Sequence, residues 1–176
     1  MPLNDPSISD SPVPSSHACN EESKEQSARI VVIGYGSPIR GDDAIGPLVA
    51  DQLIDELDSP DVNVVSRHVL TAELAADLPS AELVIFLDAA IDGEVGEVTC
   101  RPLKPDKSSM HSMQHFLNPQ ELLAWVEEMY GRAPEAVLVS TRGASFEFAH
   151  YELTPRVKAT IEPMKQQVRR LIESKA

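Results

Sequence analysis

The sequence is short of the features that mark several classes of protein. Its 176 residues include two cysteines, Cys19 and Cys100, too few for a disulfide framework. No apolar run approaches the roughly 20 residues that cross a bilayer, and the amino terminus lacks the charged-then-apolar pattern of an export signal. Basic residues number 15 against 28 acidic ones, so the formal net charge is −13. We therefore expect a protein of the reducing cytoplasm that binds neither membranes nor nucleic acid.

Familiar catalytic and nucleotide-binding signatures are also missing. The chain has no His-Glu-x-x-His motif and no Ser–His–Asp pattern, so neither a zincin nor a covalent serine mechanism has support. Gly34-x-Gly36 suggests a dinucleotide-binding turn, but Ile39 stands where that motif needs its third glycine. Asp42 and Asp43 would also repel a phosphate. A nucleotide-binding protein is the alternative that predicts stabilisation by a dinucleotide, which we do not expect.

Alternating apolar strands and amphipathic helices predict the fold. Strands are indicated by β-branched or apolar runs at residues 30–33, 62–65, 83–87, 97–103 and 136–140. Helices are indicated at residues 43–57, 71–78, 118–131 and 154–172, the last divided near Thr160 because Pro163 lies inside it. This order predicts a three-layer α/β/α sandwich around a mostly parallel, twisted sheet of about five strands.

The chain divides into a tail and one domain. Residues 1–28 are rich in proline and serine and nearly free of large apolar side chains. Such a segment buries too little surface to offset its loss of conformational entropy, so we expect a disordered tail. Residues 29–176 form the single predicted α/β domain. The sequence leaves the oligomeric state open.

Three side chains follow predicted strands or precede a predicted helix on separate loops. Asp43 comes after the first strand, Asp88 ends the most apolar one, and His115 precedes a helix that starts at Asn118. Carboxyl ends of parallel strands share one crevice, so these groups are expected to converge. Two carboxylates and an imidazole are a donor set for Zn²⁺ or Ni²⁺, with a coordination position left for water or substrate. The alternatives are a helix-terminal role for Asp43, a capping or turn role for Asp88 and a structural role for His115.

Four segments, in this order, resemble the hydrogenase maturation proteases, which process the large subunit of nickel–iron hydrogenases. Residues 33–46 are similar to the family's G-x-G-N-x-x-x-x-D-[DE]-x-x-G opening, and residues 84–89 to its strand ending in Asp-Ala. Residues 115–123 are similar to its histidine before a leucine-rich helix, and residues 143–157 to its G-x-x-x-E and L-[ST]-P-x-V segments.

The resemblance implies a metal-dependent endopeptidase that removes the carboxyl-terminal extension of a hydrogenase large-subunit precursor after nickel insertion. The family's catalytic and metal-binding residues map onto Asp43, Asp88 and His115. The metal is then nickel presented by the substrate, and the free enzyme need not hold one. Whether Asp42 or His111 contributes is open. A different class of function on the same scaffold is a non-catalytic metal-checkpoint or chaperone protein that binds the precursor without cutting it.

Overall fold

A five-stranded sheet forms the centre of the molecule. The computed structural model describes residues 28–108 and 116–175, so nearly all of the predicted tail lies outside the described residues and its disorder stays a prediction. The strands are β1 (Ile30–Tyr35), β2 (Val62–Arg67), β3 (Leu83–Val95), β4 (Val98–Leu103) and β5 (Glu135–Arg142). The helices are α1 (Ile45–Glu56), α2 (Pro119–Tyr130), α3 (Pro155–Lys158) and α4 (Ile161–Glu173).

The sheet is mostly parallel, as the sequence predicts. Its strand order is β2-β1-β3-β5-β4, and only the β4–β5 pairing is antiparallel. The prediction that the third strand stops before Asp88 is wrong, because β3 continues to Val95. Pairing with β1 ends at Leu87, but Asp88 aligns with Ser140 of the longer β5. The apolar run therefore marks the part of β3 that helices cover, not its hydrogen-bonded length.

Helices cover both faces of the sheet and give the predicted three layers. On one face, α2 contributes Leu122, Leu123 and Val126 to a core that includes Phe86. On the other face, α1 and α4 pack against Ile85 and its neighbours. None of the helices in the described ranges is long and apolar enough to cross a membrane.

The helix ends follow the predicted signals closely. Asn118 and Glu121 form a reciprocal capping box at the start of α2, with both backbone-to-side-chain distances at 2.9 Å. Gly131 ends that helix in the left-handed conformation, with φ of 77°. The final helical segment is divided at Thr160, between α3 and α4. The predicted helix at 71–78 is a shorter 3₁₀ helix, Ala72–Ala76.

Candidate active site

The candidate site lies at the carboxyl end of β1, which has β2 on one side and β3 on the other. The chain continues from β1 to β2 on one side, while β3 pairs with the other side of β1. Crevices at such points, beyond the carboxyl ends of the strands, are the usual ligand sites of open α/β sheets. A cleft of about 440 Å³ opens here, and its lining includes Asp43 and Asp88. The structure thus brings these two predicted site residues to one cleft.

Asp43 is placed by a tight turn that follows β1. Gly36 has φ of +141°, and a Cβ atom there would lie 2.0 Å from the carbonyl oxygen of Asp43. Only glycine permits this approach. The backbone N–H of Ser37 donates to Asp43 Oδ2 at 2.9 Å, which holds the carboxylate in the turn. In a dinucleotide-binding loop such an N–H would face phosphate, so its pairing with a carboxylate argues against that alternative.

Asp88 is held by two donors at the end of the covered part of β3. The Tyr35 hydroxyl donates to Oδ2 at 2.6 Å, and the backbone N–H of Ala89 donates to Oδ1 at 2.7 Å. Burial raises the pKa of Asp88 to about 6; the two hydrogen bonds oppose this rise, and the negative charge of Asp43 adds to it. The two carboxylates are therefore electrostatically coupled, as expected for groups that would share a cation.

Both the ring and the hydroxyl group of Tyr35 are held by neighbouring side chains. Its ring meets Phe86 edge-on, with ring centroids 6.4 Å apart, and its hydroxyl is committed to Asp88. Burial, followed by the Asp88 charge, raises the pKa of Tyr35 far above its ordinary value. The phenol therefore stays protonated and serves as a hydrogen-bond donor to the carboxylate.

Asp42 has a different role from its neighbour Asp43. Its side chain is fully buried and accepts hydrogen bonds from the backbone N–H groups of Ala144, Ser145 and Thr154 at 2.7–3.0 Å. The Thr154 hydroxyl donates a fourth bond at 2.9 Å. Asp42 thus joins the turn after β1 to the loop after β5. All four donors to its carboxylate belong to that loop, which gives Asp42 a structural role; whether it also contributes to the site, which the sequence leaves open, stays untested because His115 lies outside the described residues.

The third predicted ligand lies outside the described residues. His115 belongs to residues 109–115, as does His111, so its place relative to the two aspartates stays a prediction. Within residues 28–108 and 116–175, no three His, Cys, Asp or Glu side chains are placed to hold one metal ion. Of the three predicted ligands, the described residues thus include only the two carboxylates, and a third ligand for a metal ion would come from elsewhere in the chain or from the substrate.

Other residues that sequence reasoning did not assign to the site also line the same cleft. They include His68, Arg40 and Phe146. His68 is exposed and comes directly after β2, although the sequence suggests a structural or peripheral role for it. The rule that identified Asp88, a polar residue at the carboxyl end of a parallel strand, would also have identified His68.

Comparison with known proteins identifies the family of the chain. A family model described as HycI, hydrogenase maturation protease, matches residues 47–171, which include Asp88 and His115 but not Asp43. No curated protein sequence matches the chain. Among solved structures, the hydrogenase maturating endopeptidase HybD from E. coli has a TM-score of 0.67 and 26% identity, over 83% of this chain and 93% of that one.

Two archaeal structures resemble this chain to a similar degree. A NiFe hydrogenase maturation protease HycI from Thermococcus kodakarensis has a TM-score of 0.64 and 28% identity, over 83% of this chain and 93% of that one. The hydrogenase 2 maturation peptidase from a Thaumarchaeota archaeon has a TM-score of 0.64 and 27% identity, over 82% and 98%. Since the family model also covers well over half of the sequence, the chain belongs to the hydrogenase maturation protease family.

Proposed function

We propose that the protein is a metal-dependent endopeptidase that removes the carboxyl-terminal extension of a nickel–iron hydrogenase large-subunit precursor after nickel insertion. Asp43, Asp88 and His115 recognise the nickel that the precursor carries. The observation that carries the proposal is the placement of two coupled carboxylates on one cleft, beyond the carboxyl end of β1 and where β3 ceases to pair with β1. Family membership supports the peptidase activity.

The described donors fit a divalent cation. Burial and the neighbouring Asp43 charge both raise the pKa of Asp88, so a cation between the two groups would relieve an unfavourable charge arrangement. Carboxylate oxygens with an imidazole suit a borderline ion such as Ni²⁺ or Zn²⁺. A metal ion bound there would polarise the scissile carbonyl and lower the pKa of an attacking water.

The chain's own hydrogen bonds orient both carboxylates toward the cleft. The Tyr35 hydroxyl and the Ala89 N–H each occupy one lone pair of Asp88, leaving lone pairs on both oxygens for a ligand. The Ser37 N–H does the same for Asp43. Such fixed partners limit the reorganisation needed when a ligand binds.

The cleft also suits a polypeptide substrate. Phe116 and Ile91 line it, with 62% and 71% of their surfaces exposed. Exposed apolar side chains beside a polar site are typical of surfaces that bind other proteins. We place the reaction in the cytoplasm, in keeping with the expectation from the sequence.

The test is direct incubation of the purified protein with precursor large subunit. We expect loss of the extension from nickel-loaded precursor, seen as a mass decrease, and no cleavage of nickel-free precursor. Binding of the loaded precursor without any mass change would contradict the endopeptidase and support the metal-checkpoint function instead.

A further inference from the structure

A second cleft opens on the other side of Asp88, toward the edge strand β4. It has a volume of about 430 Å³, and its lining includes Asp88, Thr99, Arg101 and Ser140. Asp88 therefore belongs both to this cleft and to the 440 Å³ cleft that contains Asp43. A peptide held at Asp88 has room to continue into either one.

The outer wall of the second cleft is a protrusion of β3. Ala90 and Val95 both align with Arg142 of β5, so residues 91–94 leave the regular pairing. The Arg142 Nε donates to the carbonyl oxygen of Ile91 at 2.9 Å, which holds this protrusion against the sheet. The hydrogen bond from Arg142 thus holds this wall in place. The pairing of Ala90 and Val95 with β5 holds its two ends.

The floor of the second cleft is polar. Asp88 aligns with Ser140, and Ser140 aligns with Thr99, so the three residues form a row across β3, β5 and β4. The hydroxyl oxygens of Ser140 and Thr99 lie 3.1 Å apart. This row places a pair of hydrogen-bonded hydroxyl groups, one of them on the buried Ser140, beside the carboxylate of the candidate active site.

Arg101 supplies the positive charge of this region. It lies two residues along β4 from Thr99, is exposed, and also lines a third cleft of about 310 Å³ that includes Asp88 and Asn118. Its charge acts on Tyr35, whose pKa it lowers against the larger opposing effects. Within residues 28–108 and 116–175, its guanidinium makes no hydrogen bond or ion pair, although the chain has 28 acidic residues.

We infer that Arg101 is a specificity-determining residue that binds a carboxylate of the substrate peptide in the cleft between β3 and β4. The inference rests on the proposed function, since it assigns one flank of the scissile bond to this cleft. A guanidinium binds a carboxylate through two parallel hydrogen bonds, which fixes both position and orientation. The carboxylate is either an acidic side chain of the extension or its terminal carboxyl group.

The experiment compares wild type, Arg101→Gln, Arg101→Lys and a control, Arg170→Gln, whose exposed side chain is on α4 at the other face of the sheet. Both processing kinetics and precursor binding are measured. We expect Arg101→Gln to raise KM and Kd by about 10- to 100-fold with little change in kcat, because one charge-assisted contact is lost. Arg101→Lys should recover part of the affinity, and the control should match wild type.

Precursor variants identify the carboxylate. Acidic residues of the extension are changed singly to their amides, and a separate variant adds two uncharged residues after the terminus. We expect one of these changes to reproduce the Arg101→Gln defect in wild type and to add nothing in Arg101→Gln. Unchanged KM and Kd in Arg101→Gln, or fully additive effects, would overturn the inference. If the wild-type protein binds the precursor but does not cleave it, the proposed function fails, while the Kd values still test the role of Arg101. If the wild-type protein does not bind the precursor, both the proposed function and the role of Arg101 fail.

Discussion

At the residue scale, the adjacent side chains of Asp42 and Asp43 have opposite surroundings. Asp42 is fully buried and accepts four hydrogen bonds from the loop after β5, whereas Asp43 lines the cleft and accepts one from Ser37. The acidic pair in the opening motif therefore combines one structural carboxylate with one that faces a ligand. The sequence and the family resemblance assign Asp43 to the site, but the structural role of Asp42 could not be predicted, because its hydrogen-bond partners lie about a hundred positions away.

We expect Asp42→Asn to lower the free energy of unfolding by about 2–4 kcal/mol, because an amide group would face buried N–H donors that now point at a carboxylate. The matched variant Asp43→Asn should cost less than about 1 kcal/mol, since its remaining oxygen still accepts the Ser37 N–H. Urea denaturation of both variants measures the difference. Equal losses would contradict the assigned roles.

The raised pKa of Asp88 predicts how the stability of the protein depends on pH. Its folded-state pKa of about 6 lies above the ordinary value of 3.8, so the folded state binds the proton more tightly than the unfolded one. The associated stability is fully present below about pH 4 and is lost as pH rises through 6. Relative to Asp88→Asn, wild type should therefore lose up to about 3 kcal/mol between pH 4 and pH 8.

Chelated samples of wild type and Asp88→Asn, unfolded in urea across that pH range, provide the measurement. The difference between the two unfolding free energies isolates the Asp88 titration from that of other groups. A difference that stays constant with pH would mean that Asp88 has an ordinary pKa in the folded protein.

At the element scale, glycines let α1 start directly against the strands that carry the site. A Cβ atom on Gly46 would lie 2.4 Å from the carbonyl oxygens of both Leu87 and Tyr35, and one on Gly34 would lie 2.2 Å from the carbonyl oxygen of Gly46. This close packing fixes the first turn of α1, and with it the turn that holds Asp43, relative to β3.

We expect Gly46→Ala to destabilise the fold by about 2–3 kcal/mol, because backbone atoms on both sides must move, even though alanine favours helix by about 1 kcal/mol. It should also slow processing by displacing Asp43 from Asp88. Gly131→Ala is the matched control: its left-handed backbone strains alanine, but no atom lies within 4 Å of the added Cβ and the site is remote. Thermal unfolding and processing assays should therefore separate the two variants.

Some elements of the fold could be predicted from the sequence and others could not. The capping box at Asn118 and the break at Thr160 follow from local signals in the sequence, and the mostly parallel sheet follows from the alternation of strands and helices. The extension of β3 to Val95 does not, because it depends on the length of β5. The bond from Tyr35 to Asp88 likewise needs the sheet register, in which neighbouring strands place the two side chains together.

At the scale of the whole molecule, Asp88 lies at the junction of three clefts, of about 440, 430 and 310 Å³. One cleft reaches Asp43 and His68, and the other two reach Arg101. Clefts that meet at a central carboxylate would suit the extended peptide that the proposed function requires. Under the proposed function, the cleft that contains Asp43 would take the cation and the clefts that reach Arg101 would take an anionic group of the peptide.

The most direct measurement is the rate at which single variants process nickel-loaded precursor. We predict that Asp43→Asn, Asp88→Asn and His115→Ala each slow cleavage roughly 100-fold or more, because each removes one proposed ligand of the same ion. Asp51→Asn, an exposed position on α1, should cleave at the wild-type rate. Processing at the wild-type rate by folded Asp43→Asn or Asp88→Asn would contradict the proposal that these two carboxylates act together on the metal.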